Sequence, residues 1–481
     1  MDWWGIFASG IAFIFFGFIA VVIVLENRNP SKTLAWLIVL TFLPIVGFFF
    51  YLVFGQNIRK KKRFRRKELA DFGGLQQVAE KQLGVRESEP ILAEDVNRRR
   101  LVNLVLRNSR SPFTVHNRIH ILTNGVETFR AIIQALNEAT HHIHMQYYIW
   151  RDDQIGRDIQ RVLIEKARAG VEVRIIYDGV GSMDLRRSYI DELREAGVEI
   201  YPFLPVAFPV ITSKLNYRNH RKIVVVDGKV AFMGGLNIGD EYLGKDPRMG
   251  FWRDTHLEVR GDAVALLQAI FLMDWDFVKG ESHYRLQEEI YFPAHNVREK
   301  QFVQIAASGP DSEWEAIMQA YFTAVTSATQ SVHITSPYFI PDDSMLMAIK
   351  TAALSGVDVK LILPSRPDHK IVFWATMSYV QELLEAGVNV YLYEKGFIHA
   401  KILIVDGVVA SLGTANMDIR SFYYNFEVNA LIYDEGIVKR LEEDFQQDLK
   451  DSRRVTLGDV YGRPLRQKLK ESSARLFSPL L

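Results

Sequence analysis

The segment HRKIVVVDGKVAFMGGLN, residues 220–237, sets a histidine and a lysine two apart at the start of a β-branched run, and HAKILIVDGVVASLGTAN, residues 399–416, does so again. Alternate side chains of a strand share a face, so each His–Lys pair points the same way. Counted from either histidine, the same types recur at the same offsets: His220, Lys222, Asp227, Gly234 and Asn237, then His399, Lys401, Asp406, Gly413 and Asn416. A single H-x-K occurs by chance on many surface strands. Two complete copies at equivalent places in a repeated chain are a specific signal.

The repeat extends well beyond the motif. AGVEVRIIYD (169–178) matches SGVDVKLILP (355–364), LREAGVEIY (193–201) matches LLEAGVNVY (383–391), and QYYIWRDD (146–153) resembles PYFIPDD (337–343). Helical stretches such as IGRDIQRVLIEKARAG end at glycine before a β-branched strand, a βαβ rhythm. This pattern predicts an α/β fold with two duplicated domains, roughly 112–290 and 300–481, each built on a mixed sheet with helices on its faces. The first copy carries an insertion around PFLPVAFPVITSKLNYRN (202–219), an apolar, proline-punctuated loop just before His220. It reads either as a core loop or as access for a lipid chain.

With 481 residues and 48% hydrophobic composition, the chain is long enough for several packed cores. It has no cysteine, which excludes disulfides, thiolate metal sites and cysteine nucleophiles. The formal net charge is +1, yet RKKKRFRRK (59–67) alone holds eight basic residues, so the rest of the chain is acidic. A nucleic-acid enzyme would spread positive charge over its folded body. Here it sits beside a hydrophobic segment.

Residues 3–25 and 33–58 contain no charged side chain, and each run exceeds the ~20 residues that cross a bilayer as a helix. With only a short polar linker between them, they predict a two-helix transmembrane hairpin over 1–58. The first run lacks the basic start and small-residue cleavage site of a signal peptide. The basic run after the second span is retained in the cytoplasm by the positive-inside rule and attracts anionic lipid. Residues 59–111 then form a juxtamembrane and linker segment. The expected location is a cell membrane, multi-pass, with the large C-terminal part cytoplasmic.

The motif chemistry suits a phosphodiester. Imidazole attacks phosphorus or shuttles a proton near neutral pH. Lys222, Lys401, Asn237 and Asn416 would supply donors to the non-bridging oxygens, whose charge grows in the transition state. Two copies face to face would put two histidines on opposite sides of one phosphorus, the geometry of in-line displacement through a covalent intermediate. Asp227 and Asp406 have two readings, as catalytic carboxylates or as the first residues of Asp-Gly hairpin turns. Asp254 in FWRDTHLEV and Glu427 in YNFEVNALIYD hold matching positions and are candidates for orienting the histidines. His142 and His144 of HHIH read as strand residues. No metal and no cofactor are expected.

The H-x-K-x4-D motifs with their trailing Gly and Asn resemble those of the phospholipase D superfamily over about residues 112–450. The stretch NRNPSKTLAWLIVLTFLPIVGFFFYLVFG (27–55), the first motif and the closing SPLL are similar to bacterial cardiolipin synthases of the two-motif type, extending the resemblance over nearly the whole chain. It implies transfer of a phosphatidyl group between two phosphatidylglycerol molecules, giving cardiolipin and glycerol. It also implies that His220 is the nucleophile and His399 the acid and base; the motifs themselves are symmetric on that point. Partners would be phosphatidylglycerol and anionic membrane lipid, with no nucleic acid. A phospholipase D or a transferase with another alcohol acceptor would use the same residues. A superfamily nuclease, a non-catalytic membrane scaffold and a metal phosphodiesterase, whose activity would be chelator-sensitive, are the remaining alternatives. Spacing alone does not reveal the acceptor alcohol or the oligomeric state.

Overall fold

The computed structural model describes residues 30–43, 95–205, 216–280 and 289–480, with isolated positions at 17, 21, 47 and 51. Most of the expected hairpin, the basic run 59–67 and residues 206–215 of the apolar insertion lie outside the described residues. Helix Pro30–Phe42 is described, but among the described residues no helix is long and apolar enough to cross a membrane.

The first half contributes strands β1 (Thr114–Thr123), β2 (His142–Tyr147), β3 (Glu172–Asp178), β4 (Glu199–Phe203), β5 (Ile223–Val226), β6 (Val230–Gly234), β7 (Phe251–Arg253) and β8 (Thr255–Gly261). The second contributes β9 (Lys300–Ser308), β10 (Ser331–Thr335), β11 (Phe339–Ile340), β12 (Asp358–Pro364), β13 (Asn389–Tyr393), β14 (Gly396–Ile398), β15 (Ile402–Val405), β16 (Val409–Gly413), β17 (Met417–Asp418), β18 (Glu427–Ile432) and β19 (Ser452–Arg454). β2, β3 and β4 run parallel, joined by helices Gln154–Arg168 and Arg187–Glu195, while β5, β6, β8 and β1 continue antiparallel. β10, β12 and β13, then β15, β16, β18 and β9, repeat that order.

The crossover helices end alike because the sequence repeats their stop signal. Gly170, Gly197, Gly356 and Gly387 all take φ between 91° and 94°, a left-handed turn that frees the chain to re-enter the sheet. At the other end Asp153 and Asp342 accept from the amides of Gly156 and Met345, capping equivalent helices in the two halves.

The two mixed sheets are not separate. β1 pairs antiparallel with β9, through Thr114↔Val303 and His116↔Lys300, and fuses them into one sheet of fifteen strands. One buried cluster draws Ile223, Val225 and Leu257 from the first half and Ile402, Ile404, Val428 and Leu441 from the second. Each such side chain is worth ~1.5–3 kcal/mol on burial, so the halves stabilise one another.

Two further crossings bring the motifs together. β14 pairs in parallel with β7, Gly396 opposite Phe251 and Ile398 opposite Arg253, and Asn219 bridges to Phe426. A Cβ on Gly396 would come within 1.9 Å of the Phe251 carbonyl oxygen. Gly396→Ala is therefore expected to force this strand pair apart, costing about 2–3 kcal/mol and lowering activity. Thermal melting and product formation check it; a variant with unchanged melting and turnover would mean that the close approach is not needed.

Candidate active site

Each motif histidine is fixed by the opposite half. The His220 amide donates to Phe426 O at 2.9 Å, and the His399 amide to Arg253 O at 2.7 Å. Those carbonyls belong to the residues just before Glu427 and Asp254. His220 Nδ1 consequently lies 2.9 Å from Glu427 Oε2, and His399 Nδ1 lies 2.8 Å from Asp254 Oδ2. A carboxylate only accepts, so each imidazole carries its proton on Nδ1 and presents the Nε2 lone pair elsewhere. Both carboxylates are completely buried. Burial opposes their ionisation, but the facing histidines hold both carboxyls below their usual range.

Lys222 Nζ donates to the carbonyl of His220 and Lys401 Nζ to that of His399, each at 2.6 Å. The lysines thus lie buried beneath the histidines, strapping the backbone that carries them. Burial outweighs the attraction of Glu427 and Asp254, leaving Lys222 well below the ordinary lysine value and Lys401 at about 8. Burial likewise pushes His220 and His399 down to about 4, so both rings are neutral in the empty site at pH 7.

His220, His399, Asn237 and Asn416 all line one cavity of about 1270 Å³. Asn237 accepts from the Ile149 amide and donates to Tyr242 Oη, leaving one amide hydrogen uncommitted among the described residues. Asn416 Oδ1 is buried with no hydrogen-bond partner among the described residues. The cavity also exposes residues that sequence reasoning missed: Tyr148, Tyr242, Trp252, Tyr338, Arg218 and Arg420. The Tyr148 ring stands 5.0 Å from His220 and 5.5 Å from Lys222 Nζ. Tyr148 lies in QYYIW and Tyr338 in PYFIP, stretches that correspond in the two copies, although the two tyrosines are not at equivalent positions.

The half-sites differ where Gly235 replaces Thr414. A Cβ at 235 would stand 2.1 Å from Asp254 Oδ1. The shorter carboxylate reaches its histidine only by occupying that space. In the other half the longer Glu427 leaves room for a side chain, and Thr414 Oγ1 donates to it at 2.6 Å, with Asn425 adding a third donor.

Asp227 and Asp406 are not part of this site, which corrects the catalytic reading of both. They sit at the far ends of β5 and β15, on the order of 20 Å of extended chain from the histidines. Their φ values of 54° and 53°, followed by glycines at 63° and 66°, are those of a hairpin turn. Asp227 accepts from the amides of Thr140, His141 and His142, and Asp406 from those of Thr329, Gln330 and Ser331. They pin the hairpin to the start of the neighbouring strand. His142 and His144 are likewise remote, hydrogen-bonded to Gln268 on helix Asp262–Lys279. Among the described residues no group of three or more His, Asp or Glu could hold a metal ion.

A family model described as "Cardiolipin synthase, PLD-like domain" matches residues 132–275 and 321–449, and one described as "Phospholipase_D-nuclease N-terminal" matches residues 11–56. The chain is 52% identical over 467 residues to a cardiolipin synthase of Halalkalibacterium halodurans, covering 96% of this chain and 92% of that one. It is 50% identical to one from Geobacillus sp. (strain WCH70), over 96% and 92%. It is 43% identical to the major cardiolipin synthase ClsA of Bacillus subtilis (strain 168), over 96% of both. The fold also matches the crystal structure of phosphatidylserine synthase from Haemophilus influenzae Rd KW20, with a TM-score of 0.60 at 15% identity, over 79% of this chain and 99% of that one.

Two predictions separate chemistry from scaffolding. Asp227→Ala and Asp406→Ala are expected to cost about 1–3 kcal/mol of stability, seen as lower melting, with turnover kept in the folded fraction. Glu427→Gln and Asp254→Asn are expected to keep the fold and lose ~10²–10⁴-fold in turnover; comparable loss from all four would show that the split is wrong. A third prediction concerns pH. His220, His399 and His256 are held near 4, and His142 near 3, by burial. The unfolded chain takes up these protons below about 6.5, so this stability is complete above 6.5 and is lost as pH falls towards 4. Melting at pH 5 is expected to be several degrees below that at pH 7.5, by up to ~2 kcal/mol per histidine; equal melting would mean the rings are not buried neutral.

Proposed function

The chain belongs to the cardiolipin synthase family of the phospholipase D superfamily, and from that premise we infer that it transfers a phosphatidyl group from one phosphatidylglycerol to another, releasing glycerol. The observation that carries the mechanism is the pair of imidazoles on one cavity, each held through Nδ1 by a buried carboxylate of the opposite half. We assign the nucleophile to His220 by the family resemblance. Its Nε2 bonds to phosphorus as the bond to the headgroup glycerol breaks, and His399, which takes up a solvent proton on Nε2 when the phosphodiester binds, gives that proton to the departing alkoxide. His399 then takes the proton of the second lipid's glycerol hydroxyl. That oxygen attacks phosphorus and displaces His220. The same group returns the proton, as a two-step exchange requires.

The charge of the site supports this order. Two lysines and two carboxylates roughly cancel while the histidines are neutral. An arriving phosphodiester adds one negative charge, which favours the imidazolium that the leaving glycerol needs. Lys222 and Lys401 act as a buried positive field, and Asn237 and Asn416 as donors at the cavity surface. We also propose the division into repeats at 112–290 and 300–481, and anchoring of the chain in the bacterial membrane by a hairpin over 1–58 with the catalytic part cytoplasmic. The family match at 11–56 supports the anchor.

The test is purified protein in detergent with phosphatidylglycerol as the sole lipid, products resolved by mass spectrometry. Cardiolipin and glycerol are expected from the wild type, surviving thorough chelation, and neither from His220→Ala. Phosphatidic acid as the sole product would make it a hydrolase. Activity lost to chelation and restored by one metal would overturn the mechanism.

A further inference from the structure

Helix Leu465–Leu476 has two opposed faces. One is docked: Ala474 and Glu471 are buried, and Glu471 pairs with Arg463 at 2.8 Å. At 100° per residue, Leu465, Leu469 and Leu476 fall together on the opposite side. They are 73%, 58% and 81% exposed, and Phe477 beyond the helix is 54% exposed. Four cations flank this stripe, Arg466 and Lys470 on one side and Lys468 and Arg475 on the other, with Arg475 also ion-paired to Glu382 at 2.6 Å and Lys468 donating to the Tyr461 carbonyl at 3.0 Å. Two of them lie along aromatic rings, Lys470 Nζ 5.2 Å from the Trp374 centroid and the Arg475 guanidinium 4.1 Å from that of Tyr379.

An apolar stripe bordered on both sides by Lys and Arg is the arrangement of a helix lying in the plane of an anionic bilayer surface. Leucines enter the acyl boundary while the cations reach headgroup phosphates. The same charges would repel a second copy of this helix stacked on the first. The location is also suited to a lipid surface. The helix docks on helix Lys370–Glu385, whose first residues Lys370 and Val372 line the catalytic cavity and whose Ile371 is exposed. The turn Ser478–Leu480 packs on the short helix Ile419–Tyr423, which starts at Asp418 on the same cavity wall.

We propose that the outer face of helix Leu465–Leu476 is a membrane-contact surface that seats on anionic lipid and holds the cavity mouth at the bilayer, where diacyl substrates enter. The proposal rests on the reading that the substrates are bilayer lipids.

The chain has no cysteine, so single reporters can be placed in the full-length protein. Leu469→Cys and a control, Val126→Cys on the exposed side of helix Asn124–Glu138, would each carry an environment-sensitive fluorophore. Both would be reconstituted in vesicles of equal phosphatidylglycerol and phosphatidylcholine. Flotation reads the anchor, and cardiolipin formation by the same sample reads the proposed activity. The label at 469 reads this surface. Quenching by acyl-chain nitroxide lipid several-fold above the control, with protection from aqueous iodide, is the expected result. Iodide access equal to the control overturns the proposal. So does protection from both quenchers, which would mean a protein cover, or self-quenching that persists on dilution into excess lipid, which would mean a second copy. As a functional readout, the triple variant Leu465→Glu, Leu469→Glu, Leu476→Glu should keep its turnover on detergent-dispersed phosphatidylglycerol and lose at least about fivefold on vesicles. Equal retention on both overturns it.

Discussion

The rest of the site depends on the crossed pairing of His220 with Glu427 and of His399 with Asp254. A buried carboxylate without a partner costs several kcal/mol, and a buried imidazole without one has no defined tautomer. Each solves the other's problem, but only across the junction of the two halves. The fused sheet, the shared core and the backbone bonds from His220 to Phe426 and His399 to Arg253 follow from this requirement. Neither motif histidine finds its carboxylate within its own half.

The buried lysines take their meaning from the same pairing. Lys222 and Lys401 would be poor cations in so dry a place. The two carboxylates that orient the histidines oppose that loss of charge. In the proposed reaction an arriving phosphodiester adds one negative charge to this cluster and favours one protonated imidazole. The difference between Gly235 and Thr414 fits this economy. A short carboxylate needs the volume of a missing side chain, and a long one accepts from a hydroxyl instead.

The proposed membrane-contact surface adjoins the catalytic cavity. The cavity wall continues into helix Lys370–Glu385 and then into helix Leu465–Leu476, so catalytic and surface properties are set by adjoining elements. Apolar side chains bordered by cations make sense there because the substrates' acyl chains have no reason to leave the bilayer.

The α/β class, the duplication and the two H-x-K pairs were legible in the sequence because they are local. Strand alternation puts His220 with Lys222, and glycines after helices mark the crossovers. The matching positions of Asp254 and Glu427 were legible too, as positions. That Asp254 serves His399 and Glu427 serves His220 was decided by tertiary structure, since β7–β14 pairing and the Asn219–Phe426 bridge join segments far apart in sequence. The same holds for Asp227 and Asp406. A carboxylate seven residues after a histidine fits catalysis or a turn equally well on paper, and the strand's rise of about 3.3 Å per residue carries it out of the site. Spacing along the chain is written in the residues; which ends meet is settled by how the two sheets join.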